Sequence, residues 1–110
     1  MIRLNNFIWS ENEQYYPLEE AADGSDLYCK EVDFGSLPNN GTKTVAHNID
    51  SLDPTKVHRL YLNILFSTSE FYADHDTWVP VTSITSTNVR VSTTQNATNY
   101  SGVFRVIYKK

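Results

Sequence analysis

The sequence predicts an all-β fold, either an antiparallel β-sandwich or a compact jelly-roll-like domain, with a short N-terminal arm. Apolar and polar residues alternate in several runs of strand length, and connections rich in Ser, Thr and Asn separate those runs. No long stretch repeats its apolar residues at helical spacing. A chain of 110 residues accommodates one such domain with one core.

Charge and aromatic content distinguish residues 1–26 from the rest of the chain. This segment has one arginine and six carboxylates, whereas the whole chain has a formal net charge of -4. Its aromatic residues exceed what a purely solvated tail requires: they include Phe7, Trp9, Tyr15 and Tyr16. We therefore predict an N-terminal attachment arm over residues 1–26, with these four side chains contacting a partner, and a β-sandwich domain over residues 27–110.

Period-two alternation begins at Tyr28. The run "YCKEVDF" places Val32 and Phe34 on an apolar face, on which Lys30 is the exception. Five further strands are predicted, in "TKTVAH", "KVHRLYLNILFS", "TWVPVTSI", "NVRVST" and "GVFRVIYKK". The sequence therefore supplies enough strands for two packed sheets.

Two of these strands carry additional information. In "KVHRLYLNILFS" the even positions from Leu60 point inward, so Tyr61, Asn63 and Leu65 point outward or toward a neighbouring chain. In "TWVPVTSI" the proline Pro80 cannot donate a ladder hydrogen bond. We therefore expect that strand to lie at a sheet edge or to contain a bulge.

Composition argues against several classes of partner. With a pI near 5.2 and no cluster of Lys and Arg, the chain is not expected to bind nucleic acid. No run approaches the roughly 20 apolar residues of a membrane helix, and the first residues lack the apolar core of a signal peptide, so no membrane partner is expected. Cys29 is the one cysteine, so no internal disulfide forms, and its mid-strand position predicts a buried packing residue.

Catalytic and cofactor chemistry find little support in the sequence. Of the three histidines, His58 lies on a strand and is interpreted as a surface residue, whereas His47 and His75 each have an aspartate nearby. No nucleophile motif and no glycine-rich phosphate loop is present. We expect no enzyme activity, no metal and no cofactor; a small hydrolase using His47 or His75 is the remote alternative.

The loop "EFYADHDTW" combines aromatic rings with carboxylates. Tyr72, Asp74, Asp76 and Trp78 are candidate contacts for a host surface saccharide or receptor, because aromatic faces and carboxylates suit sugar hydroxyls. The structural alternative is a solvated loop whose aromatic residues close one end of the sandwich. The sequence is compatible with both interpretations.

The two stretches "LYCKEVDFGSLPNNGTKTVAHNI" and "VRVSTTQNATNYSGVFRVIYKK" resemble a group of small bacteriophage virion domains found in tail-fibre, baseplate and head-fibre proteins. The shared pattern is Tyr-x-Lys-x-x-Asp-Phe-Gly, followed by Leu-Pro-Asn and by Lys-x-Val-x-His. It is matched by Tyr28, Lys30, Asp33, Phe34, Gly35, Leu37, Pro38, Asn39, Lys43, Val45 and His47. Asn48 stands where these domains commonly have glycine, and because Asn tolerates left-handed backbone angles we expect the turn to survive.

The resemblance implies a non-enzymatic virion structural protein, a fibre-like, baseplate or head-decoration subunit that is assembled in the bacterial cytoplasm and exposed on the particle. It implies a homo-oligomer, with a trimer favoured, in which Tyr61 and Leu65 are subunit contacts. The arm would attach to other virion proteins. The motif residues are expected to be architectural, with His47 bonded to backbone at a strand end. A receptor-binding module that recognises a host surface saccharide is the alternative, and a fibre tip can combine both roles.

Overall fold

The alternating runs of the sequence form strands of two antiparallel sheets that pack face to face, and the predicted all-β sandwich is confirmed. This computed structural model describes residues 7–66 and 80–110, with the side chain of residue 66 left aside. The strands are β1 (Gln14–Tyr15), β2 (Tyr28–Ser36), β3 (Thr42–Ala46), β4 (Val57–Phe66), β5 (Val81–Ile84), β6 (Asn88–Ser92) and β7 (Tyr100–Tyr108). A single 3-10 turn over Pro54–Lys56 precedes β4 in this part of the chain.

The larger sheet has the strand order β1-β2-β7-β4, and the smaller sheet has the order β3-β6-β5. All neighbouring strands are antiparallel. Strands β2 and β3 follow each other in the chain but belong to different sheets, so the loop between them crosses from one layer to the other. The predicted edge position of the strand near Pro80 is confirmed, because β5 lies at the edge of the smaller sheet and begins directly after that proline.

The core lies between the two sheets and follows from the period-two pattern. Alternate residues of β7, among them Phe104 and Val106, face Val89 and Val91 of β6 from the opposite layer, and all four are fully buried. The apolar face predicted for β2 is confirmed, because its Val32 and Phe34 belong to the same cluster. The core therefore draws on both sheets through residues that the alternation identifies.

The other face of the larger sheet is covered by the N-terminal arm. Strand β1 pairs with β2, and the arm residues Tyr16 and Ala21 pack on the buried side chains of Leu27, Cys29 and Ile107. The predicted packing role of Cys29 is confirmed, since its side chain is fully buried. As a result β7 is covered by the smaller sheet on one face and, at its C-terminal end, by the arm on the other.

A β-bulge bends β2 near its end. Asp33 pairs with Val103 and Gly35 pairs with Gly102, which leaves Phe34 as the extra residue. Gly35 has a φ of 76°, a conformation that suits glycine, and its N–H donates to the Asp33 carboxylate at 3.0 Å. Two residues of the sequence motif thus determine where β2 bends.

The structure makes a prediction about Gly102 on β7. A Cβ atom at this position would lie 2.7 Å from Leu62 Cδ1 and 3.2 Å from Leu37 Cδ2. Because both neighbours belong to the packed interior, we expect Gly102→Ala to lower the free energy of unfolding by about 1–3 kcal/mol. The control Gly41→Ala would meet only a backbone oxygen at 3.6 Å and should change stability by less than about 0.5 kcal/mol. Urea unfolding measures both, and equal losses would contradict the packing explanation.

Candidate functional site

The motif residues Lys30, Lys43 and His47 form the connection between the two sheets, which we call the sheet joint. Lys30 of β2 donates from Nζ to the carbonyl oxygens of His47 and Asn48, each at 2.9 Å. These carbonyls directly follow β3, in the other sheet. The lysine that interrupted the apolar face of β2 in the sequence therefore ties the two layers together.

Lys43 makes the reciprocal connection from β3 to the end of β2. Its Nζ donates to the carbonyl oxygens of Phe34 at 3.1 Å and Ser36 at 2.8 Å. The same ammonium lies 5.0 Å from the centroid of the Phe34 ring. Hydrogen bonds from a charged donor are stronger than neutral ones, so these contacts stabilise both strand ends.

His47 closes the joint at the end of β3. Its side chain is almost fully buried, its Nε2 donates to the carbonyl oxygen of Thr85 at 2.9 Å, and its Nδ1 accepts from the N–H of Ile49 at 3.0 Å. Because Nδ1 accepts, the ring proton is assigned to Nε2. The predicted backbone hydrogen bond of His47 is therefore confirmed. Asn48 has a φ of 56°, which confirms that asparagine takes the left-handed turn conformation expected at that position.

Three further motif residues, Leu37, Pro38 and Asn39, lie in the loop after β2. Leu37 is buried in the core and its N–H donates to Tyr100 O at 2.9 Å. The carbonyl of Pro38 accepts from Thr93 Oγ1 at 3.0 Å, and Asn39 forms a bridge with Asn96. Val45, on β3, packs against the core. These residues hold the crossing loop against the segment before β7.

Tyr28, the first motif residue, lies at the other end of β2. Its ring is in edge contact with Tyr15, with centroids 6.3 Å apart, and the Lys110 ammonium lies 4.4 Å above it. The expected architectural function of the motif thus agrees with the contacts of all eleven residues: each one forms a bulge, a loop contact, a sheet connection or a core contact.

The arm is held on the larger sheet by aromatic contacts. Phe7, Trp9 and Tyr16 form a cluster with ring centroids 5.4 to 5.7 Å apart. The guanidinium of Arg105 lies 4.9 Å from the Trp9 ring centroid and donates to Glu31 at 3.1 Å. Of the four predicted attachment residues, Tyr16 is buried, Phe7 and Trp9 are half-buried, and Tyr15 is exposed. All four contact the chain's own sheet, Tyr15 through its pairing and ring contact with Tyr28. Their attachment role stays a prediction.

Ion pairs between the arm and the rest of the chain add to this docking. Glu13 accepts from Lys110 Nζ and from the hydroxyl of Tyr108. Glu19 pairs with Arg59 at 3.0 Å. Sequence reasoning did not identify these pairs, although the concentration of carboxylates in the arm was the signal that could have pointed to them.

Two further arm contacts involve His58 and Lys109. His58 Nε2 lies 3.2 Å from a Glu19 oxygen, at the surface as predicted. Asp23 pairs with Lys109 at 3.2 Å. Hydrogen bonds from the Ser25 side chain and backbone, with the Lys109 pair, lower the pKa of Asp23 to about 2.

Burial affects the pKa values of Glu13 and of Tyr108, whose hydroxyl donates to the Glu13 carboxylate. It favours a raised pKa for Glu13, but hydrogen bonds from Lys110 and Tyr108 outweigh it and hold that pKa below the ordinary 4.5. Burial, together with the neighbouring carboxylate, raises the pKa of the Tyr108 hydroxyl. Burial also raises the pKa of the Cys29 thiol to about 11, so this cysteine is protonated and unsuited to nucleophilic chemistry at neutral pH.

Beyond the arm, the outer face of the larger sheet remains exposed. Tyr61, Asn63 and Leu65 form what we call the outer stripe of β4, and Tyr61 and Leu65 are 44% and 53% exposed. The stripe pairs across the sheet with Arg105, Val103 and Ser101 of β7. The predicted outward direction of these side chains is confirmed. This stripe is the best candidate interaction surface on the described part of the molecule.

A cleft of about 330 Å³ opens beside the arm, near Glu13, Lys56 and Tyr108. Two of its lysines, Lys109 and Lys110, pair with arm carboxylates, so their charges are already neutralised within the chain. Within residues 7–66 and 80–110 no three His, Cys, Asp or Glu side chains come together as a metal site. The same residues include no helix with the length and apolar character to cross a membrane.

The saccharide-contact prediction falls on residues that the structure does not describe. Tyr72, Asp74, Asp76 and Trp78 lie outside the described residues, as does His75 of the hydrolase alternative. Comparison with protein-family models, with curated proteins and with solved structures returned no match.

Lys30 provides a test of the sheet joint. Lys30→Met keeps the aliphatic part of the side chain but removes the ammonium group that donates to two backbone carbonyl oxygens. We therefore expect the free energy of unfolding to fall by about 1–3 kcal/mol. Urea unfolding measures the loss. The control Lys56→Met alters an exposed lysine and should stay within about 0.5 kcal/mol of the parent. Equal effects of the two substitutions would contradict the role of the joint.

The lowered pKa of Glu13 leads to a pH prediction. The unfolded chain takes up a proton on this group at higher pH than the folded protein, so the contribution of Glu13 to stability is complete above about pH 4.5 and is lost as the pH falls through the lower folded-state value. We expect the stability difference between the parent and Glu13→Gln to be larger at about pH 6 than at about pH 3. Urea midpoints at the two pH values provide the comparison. An identical difference at both would show that the Glu13 charge contributes nothing.

Proposed function

We propose that this protein is a non-enzymatic structural subunit of a bacteriophage virion, of the fibre, baseplate or head-decoration kind, and that it assembles as a homo-oligomer, with a trimer favoured. It is assembled in the host cytoplasm and exposed on the particle. The observation that carries the proposal is the exposed outer stripe, Tyr61 to Leu65, beside an arm that already covers another part of that sheet face. A second copy of the chain is the partner that the stripe is proposed to contact.

The stripe has the chemistry of a subunit contact. Tyrosine supplies a large rigid surface with a polar end, and leucine supplies apolar area, whereas charged side chains are absent from the stripe itself. On the neighbouring strand Val103 is half-buried and extends the apolar area. Strand β4 is also an edge strand among the described strands, and natural proteins normally protect long apolar edges. Assembly through this region would provide that protection.

The motif residues support the proposal in a second way. In the sheet joint, the side chains of Lys30, Lys43 and His47 form hydrogen bonds to backbone carbonyl oxygens. The pattern that carries the resemblance to virion domains is thus accounted for by architecture, as a structural subunit requires. Recognition of a host surface saccharide by Tyr72, Asp74, Asp76 and Trp78 stays a prediction, and it is compatible with a role in a fibre.

The outer stripe is tested by Leu65→Arg. We expect a charged group here to lower self-association by at least about tenfold, because an unpaired charge in an apolar contact is strongly unfavourable. Sedimentation equilibrium measures the molar mass. The control Val81→Arg places the same charge at an exposed valine of the smaller sheet and should leave the mass unchanged.

A second measurement tests the virion assignment itself. Particles purified by density gradient from infected cells should contain the parent chain and less of the Leu65→Arg chain, as measured by antibody detection. Absence of the parent chain from purified particles would contradict the virion proposal. A parent chain that is present in particles but monomeric in solution would contradict only self-association.

A further inference from the structure

The arm docks on a groove in the larger sheet. We define this arm groove by Leu27, Cys29 and Ile107, whose side chains are fully buried beneath the arm. Residues 22–26, which connect the docked part of the arm to β2, are all exposed, and they include Gly24 with a φ of 83°. The backbone of such an exposed linker can change its φ and ψ angles, and so its direction, while the packed segments on either side keep their contacts.

The groove and the arm are complementary in charge as well as in shape. The arm has six carboxylates, and three of them meet cations on β4 or directly after β7: Glu13 meets Lys110, Glu19 meets Arg59, and Asp23 of the linker meets Lys109. The Trp9 ring lies against Arg105. The backbone adds directional contacts, because Ser10 O accepts from Glu31 N at 2.8 Å and Tyr16 N donates to Leu27 O at 2.9 Å.

An empty groove is unfavourable, so something must cover it in every state of the protein. Removal of the arm would expose apolar side chains that are completely buried and would leave the β2 edge without β1. The arm of a second copy presents the identical set of contacts. Exchange of arms between copies therefore preserves the contacts of residues 7–21, including Glu13 with Lys110 and Glu19 with Arg59. It requires a new path only for the exposed linker, whose own pair of Asp23 with Lys109 would rearrange.

We propose that the arm groove receives the arm of a neighbouring copy of this chain, so that assembled subunits exchange residues 7–21. This inference rests on the proposed homo-oligomer and names a contact additional to the outer stripe. The aromatic arm then attaches one subunit to the next through contacts that the isolated chain makes with itself. The stripe and the arm groove occupy adjoining parts of one sheet face, so a neighbour that contacts the stripe is close to the groove.

Gln14 and Cys29 provide a direct test, because they face each other across β1 and β2. Facing residues of an antiparallel pair have Cα atoms about 4.5–5.5 Å apart, which is within the range of a disulfide. The variant Gln14→Cys therefore places a second thiol beside the native one. Oxidation with oxidised glutathione is carried out at alkaline pH, because the buried Cys29 thiol is protonated at neutral pH. The protein concentration is one at which the protein is oligomeric, and denaturing gels without reductant show whether the bond joins one chain or two.

Arm exchange predicts covalent species at two or three times the 12.6 kDa of a single chain, which return to single-chain mass on reduction. The control Tyr15→Cys lies on the same short strand but faces Tyr28, so it measures random pairing of thiols and should give at least about tenfold less of the covalent oligomer. The variant Gln14→Ser should give none. Sedimentation of reduced Gln14→Cys must match the parent, which verifies that the substitution leaves assembly intact.

The outcomes separate this inference from the proposed function. Single chains with an internal disulfide, in a sample that sedimentation shows to be oligomeric, would overturn arm exchange and leave self-assembly through the outer stripe standing. A parent protein that sediments as a monomer at all accessible concentrations would overturn self-assembly, and arm exchange with it.

Discussion

Two lysine ammonium groups determine how the two sheets are joined, and the rest of the fold depends on that joint. Strands β2 and β3 are consecutive in the chain but lie in different layers, so no ladder of backbone hydrogen bonds can connect them. Lys30 and Lys43 replace that ladder by reaching in opposite directions, each to two carbonyl oxygens near the end of the other strand. The bulge at Phe34 frees one of those carbonyls from pairing with β7, and Lys43 binds it.

Strand β7 has the most completely enclosed position in the described fold. It lies between β2 and β4, faces the smaller sheet with Phe104 and Val106, and presents Ile107 to the arm. Burial on both faces explains why its last residues are apolar without alternation, a pattern more typical of strands covered on both sides. The arm therefore completes the fold by enclosing one end of this strand. Because ion pairs hold it there, we expect the enclosure to be sensitive to pH and salt.

The outer face of the larger sheet thus consists of two regions, one covered by the arm and one exposed to solvent. The arm covers the region around Cys29 and Ile107, whereas the outer stripe of Tyr61, Asn63 and Leu65 faces solvent. Apolar side chains on such a face are a natural surface for copies of the same chain. Proposed assembly through the stripe and proposed exchange of the arm would use one continuous surface, and this continuity would connect the fold to the proposed structural function in a virion.

The sequence by itself determined the features that depend on local chain geometry. Successive side chains of a strand point to opposite faces, so alternation was sufficient to place Val32 and Phe34 in the core and Tyr61 and Leu65 outside. The left-handed conformation of Asn48 and the burial of Cys29 were predicted on the same local grounds.

Only the tertiary structure decided which distant groups meet. The partners of Lys30 are 17 and 18 residues away, and the groove beneath the arm exists only because Cys29 of β2 pairs with Ile107 of β7. The composition of the arm indicated that it docks, but it could not show that its aromatic side chains pack on the chain's own sheet. Long-range pairing of strands creates that surface, and no local pattern contains it.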